Sequence, residues 1–386
     1  MSVYLDHAAT TPVRKSALDA YLEAQSHLGN PSSVHSQGRE TREILEQARE
    51  NLAIAVGCHR SEVIFTSGGT ESDNHLIKGI YWARQDKPRK LIVSSPTEHH
   101  AVIDPIEWLE KHEGAEVVWL EVDKTGQVNK DQLKELLASR SEEIALVSLM
   151  WVNNETGALT DIPALAEICN QFEVPMHSDA VAAFGHTPIE FANSGLAAMS
   201  ISGHKLGAPI GVGASIVSRT LKPVSLIHGG GQERALRSGT MNYPLAAAFA
   251  VAANDAVADM RERESKLETL RDWLEEQVQK LVPQAQQTIT GERIGHTASF
   301  VMPGAMSDSM LFLLDQKGIC VSAGSACQAG VLGPSHVLTS MGYTPQEASS
   351  VLRISLGHTT TRDEVEQLGT AISEIYPTAV RAGLNQ

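Results

Sequence analysis

Short β-branched apolar runs recur through the first half of the chain, separated by longer stretches whose apolar residues return at helical spacing. The runs at 62–66, 90–94, 116–122, 144–150, 174–178, 198–202 and 213–217 predict strands. They are apolar on both faces, as in a sheet covered by helices on both sides. Between them, 71–83 and 162–172 predict helices, the latter with Ile162, Leu165, Ala166, Ile168 and Cys169 at helical spacing. Such alternation predicts βαβ units, and hence an α/β fold with a mostly parallel central sheet flanked by helices.

After Tyr243-Pro244 the texture changes. Residues 245–281 predict one long helical stretch, apolar first and then charge-rich, that leaves the large domain as a connector. Beyond it the pattern predicts a strand at 297–302, a helix at 307–317, a strand at 319–322, helices around Ser335 and Pro345, a strand at 352–355 and a final helix from Arg362. The resulting division is a large domain over 15–260 and a smaller α+β domain made of 1–14 with 261–386. Two domains suit a chain of 386 residues.

Composition narrows the function. Hydrophobic residues make up 42% and charged residues 20%, which excludes a disordered or fibrous chain. Lys+Arg 31 against Asp+Glu 46 gives a formal charge of −15, which repels phosphate backbones and acidic membrane surfaces, so general nucleic-acid binding is not expected. The most apolar stretch, 245–253, stops at Asn254 and Asp255, far short of the roughly 20 residues that span a bilayer. MSVYLDHAATTP lacks the basic and apolar regions of a secretory signal, and a cytoplasmic location is expected. Cys58, Cys169, Cys320 and Cys327 are too scattered for a disulfide framework and lack zinc-ligand spacing, so no metal is expected.

Candidate chemistry clusters where predicted strands end. Lys205, in SGHKLGAP, follows a strand and precedes a glycine-rich segment. Such a lysine is ordinarily a surface residue, but Ser202 and His204 beside it can donate to a phosphate, and a partly desolvated amine there can form a Schiff base. Asp179 follows another strand. It could simply cap a turn; paired with Lys205 it becomes the acid that keeps a pyridine nitrogen protonated, as pyridoxal phosphate (PLP) requires. In TSGGTESDN a strand passes through Gly68, Gly69 and Thr70 into a helix whose first amides can bind phosphate, without the Walker lysine or the dinucleotide glycine pattern. His99 could be a solvated loop residue or could stack on a flat cofactor. Cys327 sits in a Gly, Ser and Ala setting that favours an exposed, reactive thiol over a buried structural one.

In order along the whole chain, YLDHAATTP, NPSSVH, TSGGTESDN, TEHHAV, VNNETG, HSDA, SGHK, GGGQERALRSGT, GSAC and RISLGHTT resemble the cysteine desulfurases, in the aminotransferase class V branch of the fold-type I PLP enzymes. GSAC in a long loop resembles the housekeeping group of that family. The resemblance implies that Lys205 forms the Schiff base with PLP, Asp179 pairs with the pyridine nitrogen and His99 stacks on the ring. It implies that Gly69, Thr70, Ser202 and His204 hold the phosphate together with Thr240 from the second subunit of a homodimer. Asn154 would lie near the phenolic oxygen or the substrate, and Arg353 would clamp the substrate carboxylate. Cys327 would take sulfur from L-cysteine, leaving L-alanine, and pass it to an iron-sulfur scaffold or another acceptor.

One position departs from the family pattern. The usual Asp-Ala-x-Gln is here Asp179-Ala180-Val181-Ala182, and Ala182 cannot donate to the cofactor's phenolic oxygen. Selenocysteine lyase, cysteine sulfinate desulfinase and class V aminotransferase remain alternatives that use the same Lys205 and Asp179. A catalytically weak sulfur-assembly partner is the non-enzymatic alternative, favoured only by Ala182.

Overall fold

The computed structural model describes residues 2–84, 89–324 and 333–383. Seven strands form the central sheet, in the order Val63–Thr66, Gly213–Val217, Ala198–Ser202, Met176–Asp179, Ile144–Ser148, Leu91–Ser94 and Glu116–Trp119. Pairings are parallel except those of Gly213–Val217, which runs antiparallel to both neighbours.

Alternate residues of the strands feed two different cores, the period-2 geometry of a doubly covered sheet. On one face Ile64, Ile92, Leu146 and Val217 meet Leu76, Ile77 and Ile80 of helix Gly69–Ala83 and Val102, Ile106 and Leu109 of helix His100–Glu113. On the other, Phe65, Val93, Val147 and Ile216 meet Leu45 and Leu52 of helix Ser36–Val56, Leu165 of helix Ile162–Gln171 and Phe249 of helix Tyr243–Ala258. Each such fully buried aliphatic side chain contributes about 1.5–3 kcal/mol.

All seven predicted runs are strands, two of them, Ala198–Ser202 and Gly213–Val217, with the predicted bounds and the others with shifted ends. The 116–122 run stops at Trp119 because the chain turns about Asp123, whose carboxylate accepts from the amides of Thr125 and Gln127. The 174–178 run begins at Met176 and takes in Asp179 as its last residue. The continuous stretch expected over 245–281 is instead two helices, Tyr243–Ala258 and Met260–Leu281. They break at Asp259, whose carboxylate pairs with Arg14 at 2.8 Å and with Arg263.

Beyond the break, Val351–Ser355, Thr297–Val301 and Gln286–Gln287 form an antiparallel sheet in that order. Val3–Tyr4 pairs in parallel with Ile319–Cys320, and Val3 and Leu5 enter one apolar cluster with Leu267, Leu274, Phe300, Leu314, Ile354 and Leu368. The N-terminal strand therefore packs with the C-terminal elements. Among the described residues, no helix is long and apolar enough to cross a membrane.

Candidate active site

Five separated segments converge at the carboxyl edge of the central sheet, where open α/β sheets bind ligands. Asp179 and Ser202 end adjacent strands, and the chain after Ser202 makes a tight turn over Gly203–Lys205. His99 starts the helix that follows Leu91–Ser94, Gly69 starts the one that follows Val63–Thr66, and Asn154 lies beyond Ile144–Ser148. A cavity of about 310 Å³ is lined by Gly69, Thr70, His99, Asn154, Asp179, Ser202, His204 and Lys205, with Arg353 from the C-terminal sheet.

Burial sets the protonation of this wall. Desolvation pushes the Asp179 carboxyl up to about 6, against the Val181 amide at 2.8 Å and the positive Lys205, which favour its charged form. His99 and His204 are each held down at about 4, by burial first and then by Lys205, so both rings are neutral near pH 7. The Nδ1 of His99 accepts from the Ala101 amide at 3.0 Å, capping its helix, which fixes the ring's orientation and places its proton on Nε2. Lys205 Nζ donates to the carbonyls of Ala8 and Ala9, the latter at 3.0 Å.

Arg353 is placed by two anchors. Its Nη1 donates to the Asn154 carbonyl at 2.8 Å and its Nη2 pairs with Asp6 at 2.9 Å, while the buried Nε has no partner. A guanidinium held in this way presents a fixed donor to the cavity.

The lining fits a small phosphorylated, pyridine-bearing group. Ser202 Oγ and Asn154 Oδ1 are buried without hydrogen-bond partners, and buried polar atoms are normally satisfied. A Cβ at Gly69 would lie 2.7 Å from Val181 Cγ2, so glycine alone lets the helix's first amides approach without a shift of that side chain. Lys205 is the one lysine along the described lining, and Asp179 is the acid close enough to feel its charge.

The model of the family described as aminotransferase class-V matches residues 3–368. The chain belongs to this family. Within it, the IscS-like cysteine desulfurase of Mycobacterium tuberculosis is 46% identical over 98% of this chain and 96% of its own length. The cysteine desulfurase NifS of Azotobacter vinelandii is 37% identical, with 97% and 92% covered. A solved NifS-like protein superposes with a TM-score of 0.91 at 32% identity, covering 98% of this chain and 100% of that one. These likenesses put the chain among the cysteine desulfurases of the class-V family, enzymes of PLP-dependent type.

Two sequence candidates are not among the described lining of the cavity. Thr240 is exposed and is not among its lining residues. Its segment is tied down upstream: Glu233 makes a buried pair with Arg49 at 2.7 Å, and Arg237 pairs with Glu71 at 2.7 Å. Glu233, Arg234 and Ala235 all adopt positive φ, a costly run for non-glycine residues that these ion pairs hold in place. Cys327 lies outside the described residues. On either side of the undescribed segment, Gly324 packs against the buried Glu155 side chain and Ser335 Oγ donates to it at 2.6 Å.

Motif reading missed Asp73. It lies within TSGGTESDN, one helical turn after Gly69 and Thr70, lines the cavity fully buried, and its carboxyl is raised well above the usual range by burial and then by Asp179. The spacing on the helix was the available signal. Ala182 does line the cavity, so the family's missing glutamine is missing from the wall itself. Neither Cys58 nor Cys169 competes as a nucleophile, because burial pushes both thiols up to about 12.

Proposed function

We propose that this chain binds PLP at Lys205, takes L-cysteine as substrate and transfers its sulfur to Cys327, releasing L-alanine. The observation that carries the reading is the convergence of Lys205, Asp179 and Arg353 on one cavity. A relative's solved structure titled "SspA in complex with cysteine" supports the substrate; it has a TM-score of 0.79 at 30% identity, covering 92% of this chain and 99% of that one.

Asp179 would hold the pyridine nitrogen's proton, with the Val181 amide orienting the carboxylate. Gly69, Thr70, Ser202 and His204 would receive the phosphate, and His99 would lie against the ring. When bound, PLP supplies an electron sink conjugated to the substrate's α-carbon. Arg353 would grip the substrate carboxylate, and Lys205 Nζ would take the α-proton and return it at the end of the reaction. The Cys327 thiolate would attack the substrate sulfur: an S–S bond forms, the C–S bond breaks, its electron pair returns to carbon, and a proton completes alanine. The persulfide sulfur would then pass to a thiol of an iron-sulfur scaffold or another acceptor. Measuring sulfide and alanine released from L-cysteine with reductant tests the reading; keto acid and pyridoxamine phosphate in their place would replace it with transamination.

The domain division at residue 260 belongs to the same proposal, as does the homodimer. Exposed Thr240, on a strained and anchored segment, would reach the phosphate site of a second subunit. Sedimentation at assay concentration should give a dimer, and a fully active monomer would refute it.

Ala182 makes a smaller, separate prediction. Ala182→Gln adds a donor to the cavity wall, and a neutral hydrogen bond contributes about 0.5–1.5 kcal/mol, so PLP loss on dilution should slow by roughly 2- to 10-fold. An unchanged rate would show that the side chain at 182 makes no bond to the cofactor.

A further inference from the structure

A second, small chamber that the mechanism does not use shares Lys205 with the substrate cavity. Its wall carries His7, His186, His296 and His358 with Arg14 and Arg263, and Lys205 borders both spaces. It leaves about 20 Å³ for the centre of a water-sized particle, which is room for a single ion or water.

Two of these wall residues, His186 and His296, meet Glu264 beside the chamber. One ligand atom each of His186, Glu264 and His296 lie within 4.8 Å of one another, the only such group of three among the described residues. They come from three parts of the fold: His186 from the turn after Met176–Asp179, Glu264 from helix Met260–Leu281, and His296 from the residue before strand Thr297–Val301. His186 Nδ1 is 2.8 Å from Glu264 Oε1, and the two imidazoles stack with centroids 3.9 Å apart.

Unmet bonding capacity marks the chamber as a ligand site. Glu264 Oε2, His296 Nδ1 and His7 Nε2 are buried without hydrogen-bond partners, and His296 is only 4% exposed. His7 and His296 line the chamber and Glu264 adjoins it, and buried polar atoms of this kind normally have a partner. The scaffold is already set: the His296 carbonyl accepts from the Leu356 amide at 2.8 Å, and a Cβ at Gly295 would lie 2.9 Å from the Glu264 carbonyl, so glycine permits the close approach.

We infer that His186, Glu264 and His296 bind one divalent transition-metal ion that ties the central sheet to the C-terminal elements. Two imidazoles and one carboxylate suit Zn²⁺, Co²⁺ or Ni²⁺ rather than Mg²⁺ or Ca²⁺, which prefer all-oxygen shells. Bonds of about 2.0–2.2 Å require the ligand atoms to close to about 3.4 Å from one another and the two imidazoles to turn out of their tilted stack, and a water held by His7 Nε2 would complete a tetrahedron. The two neighbouring guanidiniums are paired with carboxylates. Arg14 and Arg263 both pair with Asp259, and Arg263 Nε also lies 3.5 Å from Glu264 Oε1, leaving Oε2 for the ion.

Equilibrium dialysis of the PLP-loaded protein against Co²⁺ tests this, with X-ray absorption at the cobalt edge. One Co²⁺ per chain is expected in the native protein and in Cys327→Ala, with nitrogen and oxygen neighbours and no sulfur. Free metal about a hundredfold above its dissociation constant should raise the melting temperature by about 3–5 °C, reversed by chelator. Glu264→Gln, which keeps the side chain's size, and His296→Ala should each weaken binding roughly tenfold or more. If His296→Ala fails to fold, Glu264→Gln alone carries the comparison. No saturable uptake, uptake unchanged in Glu264→Gln, or uptake lost in Cys327→Ala would overturn the inference.

Discussion

Replacing Lys205 with alanine is expected to abolish the borohydride-reducible link to PLP and to lower alanine formation from L-cysteine by roughly 10²–10⁴-fold, the range for losing a positioned general base. The size of the effect follows from the cavity. No other lysine lines its described wall, and the neighbouring imidazoles of His99 and His204, held at about 4, are already engaged or weakly basic. Phosphate binding by Gly69, Thr70 and Ser202 does not need the amine, so the variant should still take up PLP, yellow but unlinked. Recovery of the reduced label on any other lysine would sink the assignment, whatever the activity.

Cys327→Ser should separate the two halves of the chemistry. PLP uptake and the first absorbance change on adding cysteine depend on Lys205 and should survive, while sulfide release should fall by roughly a hundredfold or more, because a serine hydroxyl is a weak nucleophile at its ordinary pKa. Mass spectrometry of the native protein after cysteine treatment should find an added sulfur on the peptide containing Cys327. Undiminished sulfide release in Cys327→Ser would refute the nucleophile. Cys58 and Cys169 offer no ready substitute, since both are held protonated by burial.

Several of these residues were legible because their signals are local. Asp179 ends one buried strand and Lys205 follows another, and a strand's end is readable from a few neighbouring side chains. Gly69 and Thr70 announce a helix start in the same way. Asp73 escaped because its meaning depends on what faces it: on a helix it is an ordinary polar residue, and only packing against Asp179 makes it a buried acid. Asn154 lines the cavity, while its neighbour Asn153 holds the turn, accepting from the amides of Glu155 and Thr156 and donating to the Thr97 carbonyl. No spacing rule distinguishes the two asparagines.

The break at Asp259 shows the same limit in the backbone. Helical periodicity continues through 245–281, and no proline or glycine interrupts it. At the break the Asp259 carboxylate pairs with Arg14, 245 residues away, and with Arg263. Periodicity carries the order of strands and helices and the class of sheet, because burial of alternate or every third to fourth residue acts over a few residues. It cannot carry strand order, the joining of Val3–Tyr4 to Ile319–Cys320, or the meeting of His186, Glu264 and His296. Those depend on which distant segments exclude water together, a property of the packed chain as a whole.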